Sequence, residues 1–131
     1  MRASPVAKSL RVKIDGAGQL KAAGARAAGR IKQELQSALE AEAAELEQDA
    51  QDNVRVDSGD LRDSIEARVG DMTADVAPRS GNLDGPYEKA MVNEFGKSSD
   101  PGHPYMVPAA EASRKRWPER ARQAIERGAN G

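Results

Sequence analysis

Between Gly18 and Asp52 the chain runs 35 residues without a proline, and Ala, Glu, Gln, Lys and Leu dominate that stretch. These are strong helix formers. Ile31, Leu35, Leu39 and Leu46 follow at steps of four, four and seven, which places them on one helical face. At 1.5 Å per residue, a single helix of this length would extend roughly 50 Å, beyond the roughly 30 Å breadth of a small domain. It must therefore break, with Gly24 and Gly29 as the weak points, or overhang toward another subunit.

Short strands flank this helix. Ser9 to Ile14 alternates polar and apolar residues and closes at Asp15-Gly16, the pattern of a half-buried strand followed by a turn. Asp57 or Ser58 can cap a short helix from Gly59 to about Ile65, with Leu61 and Ile65 on its buried edge. Glu66–Gly70 and Thr73–Ala77 then read as a hairpin turning at Gly70-Asp71-Met72. Residues 78–86 and 96–104 have loop composition, and Tyr87 to Phe95 between them is ambiguous, compatible with a helical start and a strand over Met91 to Phe95. Val107 to Arg127 forms a closing helix, kinked or restarted at Trp117-Pro118 and ended by Gly128. The expected class is α+β, with a long N-terminal helix and a C-terminal helix packed on a small antiparallel sheet. One domain spans residues 1–131, with 1–8 as a flexible basic arm and 128–131 as a flexible tail.

Leu, Ile, Val and Phe together make up only 20 of 131 residues, so the core must be thin and rely on alanine. A net charge of −1 makes self-repulsion an implausible source of disorder. The combination suggests a subunit that gains stability from its neighbours. Charge is unevenly distributed: residues 1–33 carry 8 Lys/Arg against 1 acid, 34–100 carry 6 against 17, and 101–131 carry 6 against 3. Such a pattern can supply complementary faces in a ring or solvated faces of separate helices. The lack of cysteine excludes disulfides and thiolate chemistry. No stretch has the apolar length of a signal peptide or a membrane span, so we expect a soluble, cytoplasmically made protein without membrane contact.

Catalytic signals are weak. His103 is the only histidine, and Ser58, His103 and Asp57 are the nearest approach to a hydrolase triad. No G-x-S-x-G elbow accompanies them, and His103 lies in Pro101-Gly102-His103-Pro104, a sequence that shapes backbone. Asp57 and Asp60 suit helix capping better than Ca²⁺, and neither metal nor cofactor is expected. Arg114, Lys115 and Arg116, with Arg120 and Arg122, could meet phosphates, although Glu111, Glu119 and Glu126 are placed for local ion pairs such as Glu111–Lys115.

Three segments carry more than generic pattern: Val56-Asp57-Ser58-Gly59-Asp60-Leu61-Arg62-Asp63-Ser64-Ile65, then Val92-Asn93-Glu94-Phe95-Gly96-Lys97, then Pro101-Gly102-His103-Pro104-Tyr105-Met106-Val107-Pro108-Ala109. Their order resembles that in the neck or tail-completion family of lambdoid and related long-tailed bacteriophages, with Lys97 replacing the usual small hydroxyl residue. The resemblance implies a non-enzymatic virion subunit of the neck, between head and tail, assembled in the host cytoplasm. Its implied partners are its own copies in a hexameric ring, together with head-completion or adaptor proteins and tail-terminator or tail-tube proteins. Genomic DNA would pass without sequence-specific contact. A tail-terminator subunit and, more distantly, a small DNA-binding protein or hydrolase are the alternatives.

Within these motifs, Asp57, Ser58 and Gly59 form a capped turn, and the proline-rich segment presets Tyr105 and Met106 either for docking or for covering the core. Arg62 is expected to pair with Glu94. Lys8, Arg11 and Lys13 are expected to meet the acidic stretch Glu40 to Asp52 of a neighbouring copy, a contact that salt should loosen.

Overall fold

The computed structural model describes residues 10–23, 28–54, 59–79, 94–96 and 102–130. Its elements are β1 (Val12–Asp15), α1 (Ala17–Ala23), α2 (Ala28–Asn53), α3 (Gly59–Ser64), β2 (Ile65–Gly70), β3 (Thr73–Pro78) and α4 (Met106–Asn130). The three strands form one antiparallel sheet in the order β1-β3-β2. The α+β architecture expected from the sequence is the one observed.

Pairing of Val12 with Val76 and of Ala67 with Val76 puts apolar residues from all three strands on a common face. Ile14, Ile65, Ala74 and Val76 are buried there. The hairpin matches the expected one, each strand gaining one residue. Its turn requires Met72 at φ 58°, a conformation that bulky residues rarely adopt. The side chain of Gln36 on α2 holds the turn in place: its Nε2 donates to the Gly70 carbonyl at 2.9 Å, and its Oε1 accepts from the Met72 amide at 2.8 Å. The Gly16 amide donates to the Met72 carbonyl at 3.0 Å. A strained turn persists when its surroundings over-determine it in this way.

Gln51 donates to the Ile65 carbonyl at 3.1 Å, and Glu47 accepts from the Ala67 amide at 2.8 Å. Helix α2 thereby closes the outer edge of β2.

Helices α2 and α4 pack antiparallel, since Asn53 reaches the Tyr105 carbonyl while Arg127 meets Glu34. The buried face of α4 consists of Met106, Ala109, Ser113, Trp117, Ala121, Ala124 and Gly128, spaced by three or four residues. The buried apolar residues of α2 are Ile31, Leu35, Ala38, Leu39, Ala43, Leu46 and Ala50. Small residues let the backbones approach: a Cβ on Gly128 would lie 2.6 Å from the Ile31 Cα. The alanine content thus allows close helix packing as well as limiting core volume.

Several expected boundaries move. The long helix appears as α1 and α2, and residues 24–27 lie outside the described residues. The first strand begins at Val12, because its pairing with β3 runs only from Val12 to Asp15. Glu94 and Phe95 are helical where a strand was expected to end. Helix α4 runs through Pro118 without a restart. Trp117 is buried but Pro118 and Arg114 are exposed, so the Arg114 carbonyl freed by proline faces water. Nor does Gly128 end α4, which continues to Asn130; the missing side chain serves the contact with Ile31.

Candidate functional site

The first turn of any α-helix has four amides without intrahelical acceptors. In α4 these belong to Tyr105, Met106, Val107 and position 108. Glu94 satisfies the first three: its Oε1 accepts from Tyr105 at 3.0 Å and Met106 at 2.7 Å, and its Oε2 accepts from Val107 at 3.1 Å. Position 108 is proline and has no amide hydrogen. Every orphan donor is accounted for by Glu94 and Pro108 together. The carboxylate is only 2% exposed, and its charge faces the positive end of the helix dipole. This geometry gives the Glu94-Phe95-Gly96 and Tyr105-Met106-Val107-Pro108 segments a common physical reason to occur together.

Around the cap the chain folds back on itself. Gly96 and Gly102 have φ values of 81° and 84°, and a Cβ on Gly102 would lie 2.6 Å from the Gly96 amide nitrogen. Only glycine fits this crossing without strain. Tyr105 and Met106 are fully buried, so they complete the core and are not free to dock. Burial first, and then the nearby Glu94 charge, pushes the Tyr105 phenol above its ordinary value of 10.0. Phe95 and Val107 remain exposed, at 49% and 39%, and both adjoin the cap. His103, Pro104 and Pro108 are exposed beside them. The result is an apolar knuckle fixed on a rigid base.

This use of Glu94 differs from the expected pairing with Arg62. Arg62 lies 3.6 Å from Asp63, its neighbour on α3, while both oxygens of Glu94 are taken by α4 amides. Two signals pointed to the cap: proline in the first turn, and no Ser, Thr, Asp or Asn at the capping position 105. Leu61 is buried and Gly59 begins α3, whereas Asp57, Ser58 and Pro101 lie outside the described residues. The triad expectation through Ser58 and Asp57 therefore falls outside as well. Among the described residues, no group of three or more His, Cys, Asp or Glu is arranged to hold a metal, and no helix is long and apolar enough to cross a membrane.

Two members of the basic group on α4 turn inward to α2. Arg116 donates to Glu42 at 2.8 Å and to Asp49 at 3.0 Å, while Arg120 donates to Glu42 at 3.0 Å and Glu45 at 2.8 Å. Burial opposes the charge of Arg116, but the hydrogen bonds with Glu42 and Asp49 together with the charges of Glu42 and Glu45 outweigh it and hold its guanidinium above the ordinary range. Arg122 pairs with Glu119 and Glu126 along its own helix. Of the proposed phosphate-contacting group, Arg114 and Lys115 stay exposed without a described partner, and the Glu111–Lys115 pair does not form among the described residues.

The same network engages part of the acidic stretch 40–52 that was expected to meet Lys8, Arg11 and Lys13 of another copy. Glu42, Glu45 and Asp49 are held by α4 of their own chain, and Glu47 is held by β2. Arg11 lies 3.9 Å from Asp75, Lys13 is exposed, and Lys8 falls outside the described residues.

A family model described as "Bacteriophage HK97-gp10, putative tail-component" matches residues 19–96, more than half of the chain. No curated protein and no solved structure matches. The matched region runs from within α1 through β2 and β3, leaving β1 outside, and ends at Gly96, so it takes in Glu94 and Phe95. The chain belongs to the HK97-gp10-like family of bacteriophage tail components.

Proposed function

We propose that this chain is a structural subunit of the phage neck, one domain per copy. Its copies form a ring, six in number, that completes the tail, joins it to the head-completion proteins and leaves a channel for DNA. The family match over residues 19–96 carries this reading. The site supports it physically. A carboxylate committed to three backbone amides is a positioning device, and it fixes Phe95 and Val107 where a neighbouring protein can cover them. Preorganised apolar contacts lose little entropy on docking.

The test is deletion of the gene from the phage that encodes it, followed by electron microscopy of the lysate. DNA-filled heads and separate tails should accumulate, and supplying the chain in trans should restore joined particles. Joined, infectious particles without the chain would overturn the proposal, and tails of uncontrolled length would assign it instead to the terminator.

A further inference from the structure

The two edges of the sheet are treated differently. The outer edge of β2 is closed by Gln51 on the Ile65 carbonyl and Glu47 on the Ala67 amide. The outer edge of β1 has no such cover among the described residues. The Gly16 amide bonds to the Met72 carbonyl, and that pair continues the register Ile14↔Ala74 and Val12↔Val76. Backbone groups alternate in direction along a strand. Val12, Ile14 and Gly16 therefore face β3, and the amides and carbonyls of Arg11, Lys13 and Asp15 point outward. Side chains alternate with the same period, so those three residues share the solvent face of the sheet. Arg11 and Lys13 are exposed there, while Asp15 is engaged with the Ala17 amide at 2.9 Å.

We propose that the β1 edge is a strand-addition site for an extended segment of another protein in which acidic and apolar residues alternate. Main-chain hydrogen bonds to residues 11, 13 and 15 would hold the segment, a recognised mode of peptide recognition. Its acidic residues would lie on the solvent face opposite Arg11 and Lys13, and its apolar residues would extend the buried face beside Val12, which is partly covered. Charge also argues against a second β1 as the occupant. Antiparallel pairing centred on Lys13 sets two lysines opposite each other, and a central lysine is a common guard against self-pairing of sheet edges.

The probe is the heptapeptide Thr-Glu-Val-Glu-Val-Glu-Thr, acetylated and amidated, titrated calorimetrically into the full chain at low salt. Lys13→Pro removes an outward amide without touching the ladder to β3, so the fold should survive. We expect binding to the unaltered chain, at least tenfold weaker binding to Lys13→Pro at an unchanged melting temperature, and several-fold weakening in 0.5 M NaCl. As a second arm, Arg11→Glu/Lys13→Glu should lose this peptide and gain its Lys-for-Glu counterpart. No binding at 1 mM peptide, equal binding by a folded Lys13→Pro chain, or self-association through β1 in the absence of peptide would overturn the proposal.

Discussion

Replacing Glu94 with alanine removes the acceptor for three amides at once. The bonds to Tyr105 and Met106 are buried and that to Val107 is partly so. An unsatisfied buried amide costs about 1–3 kcal/mol, and water can reach the third. Two buried amides at the lower half of that range give a loss of about 2–4 kcal/mol, more than the ~1 kcal/mol typical of an exposed helix cap. For a chain of this size that corresponds to a fall of roughly 10 °C in melting temperature. Glu94→Gln keeps an acceptor for Tyr105 and Met106 but turns an NH₂ toward Val107, so it should lose about half as much. Urea denaturation measures the loss, and hydrogen exchange at Tyr105, Met106 and Val107 locates it. An alanine variant within about 0.5 kcal/mol of the parent, or undiminished protection at those three amides, would refute the capping argument.

Gly128→Ala should destabilise by about 1–3 kcal/mol in the same denaturation assay, because the new Cβ meets the Ile31 backbone and forces α2 and α4 apart. Arg116→Ala leaves the fully buried Glu42 with Arg120 alone and should cost about 2–3 kcal/mol; adding Glu42→Leu should recover much of that loss, since breaking a buried pair costs more than replacing it. Tyr105 gives a pH prediction. Its phenol ionises at a higher pH when folded than when unfolded, so its contribution is intact below pH 10.0 and stability falls as pH rises beyond it, by about 1.4 kcal/mol per unit. Tyr105→Phe should flatten that part of a stability profile measured between pH 9 and 12.

Elements set by local pattern were legible in the sequence. The four-four-seven spacing of Ile31, Leu35, Leu39 and Leu46 placed the face of α2 that is buried, and alternation with a turn at Gly70-Asp71-Met72 located the hairpin. What escaped was long-range pairing. Arg116 and Arg120 looked like a basic surface because nothing local shows that Glu42, Glu45 and Asp49 stand opposite them. Glu94 was assigned to Arg62 because opposite charges suggest a salt bridge, whereas the stronger demand came from backbone amides eleven to thirteen residues further on. Pro118 and Gly128 read as helix breakers by propensity, yet one faces water and the other fills a tight helix crossing. Propensity yields to tertiary context at such places.

Scarcity of large apolar residues suggested a chain that is incomplete alone, but the described residues enclose a continuous core, with only Val69, Phe95 and Val107 as exposed large hydrophobics. Among the described residues, the large apolar side chains open to a partner are thus Val69 and the small knuckle at the Glu94 cap.

Quantitative mass spectrometry of purified, DNA-filled particles, calibrated against a tail-tube protein of known copy number, measures whether the chain is a neck subunit and how many copies form it. A ring of six at the neck requires six copies of the chain per particle. Its absence from particles that are complete and infectious would contradict it.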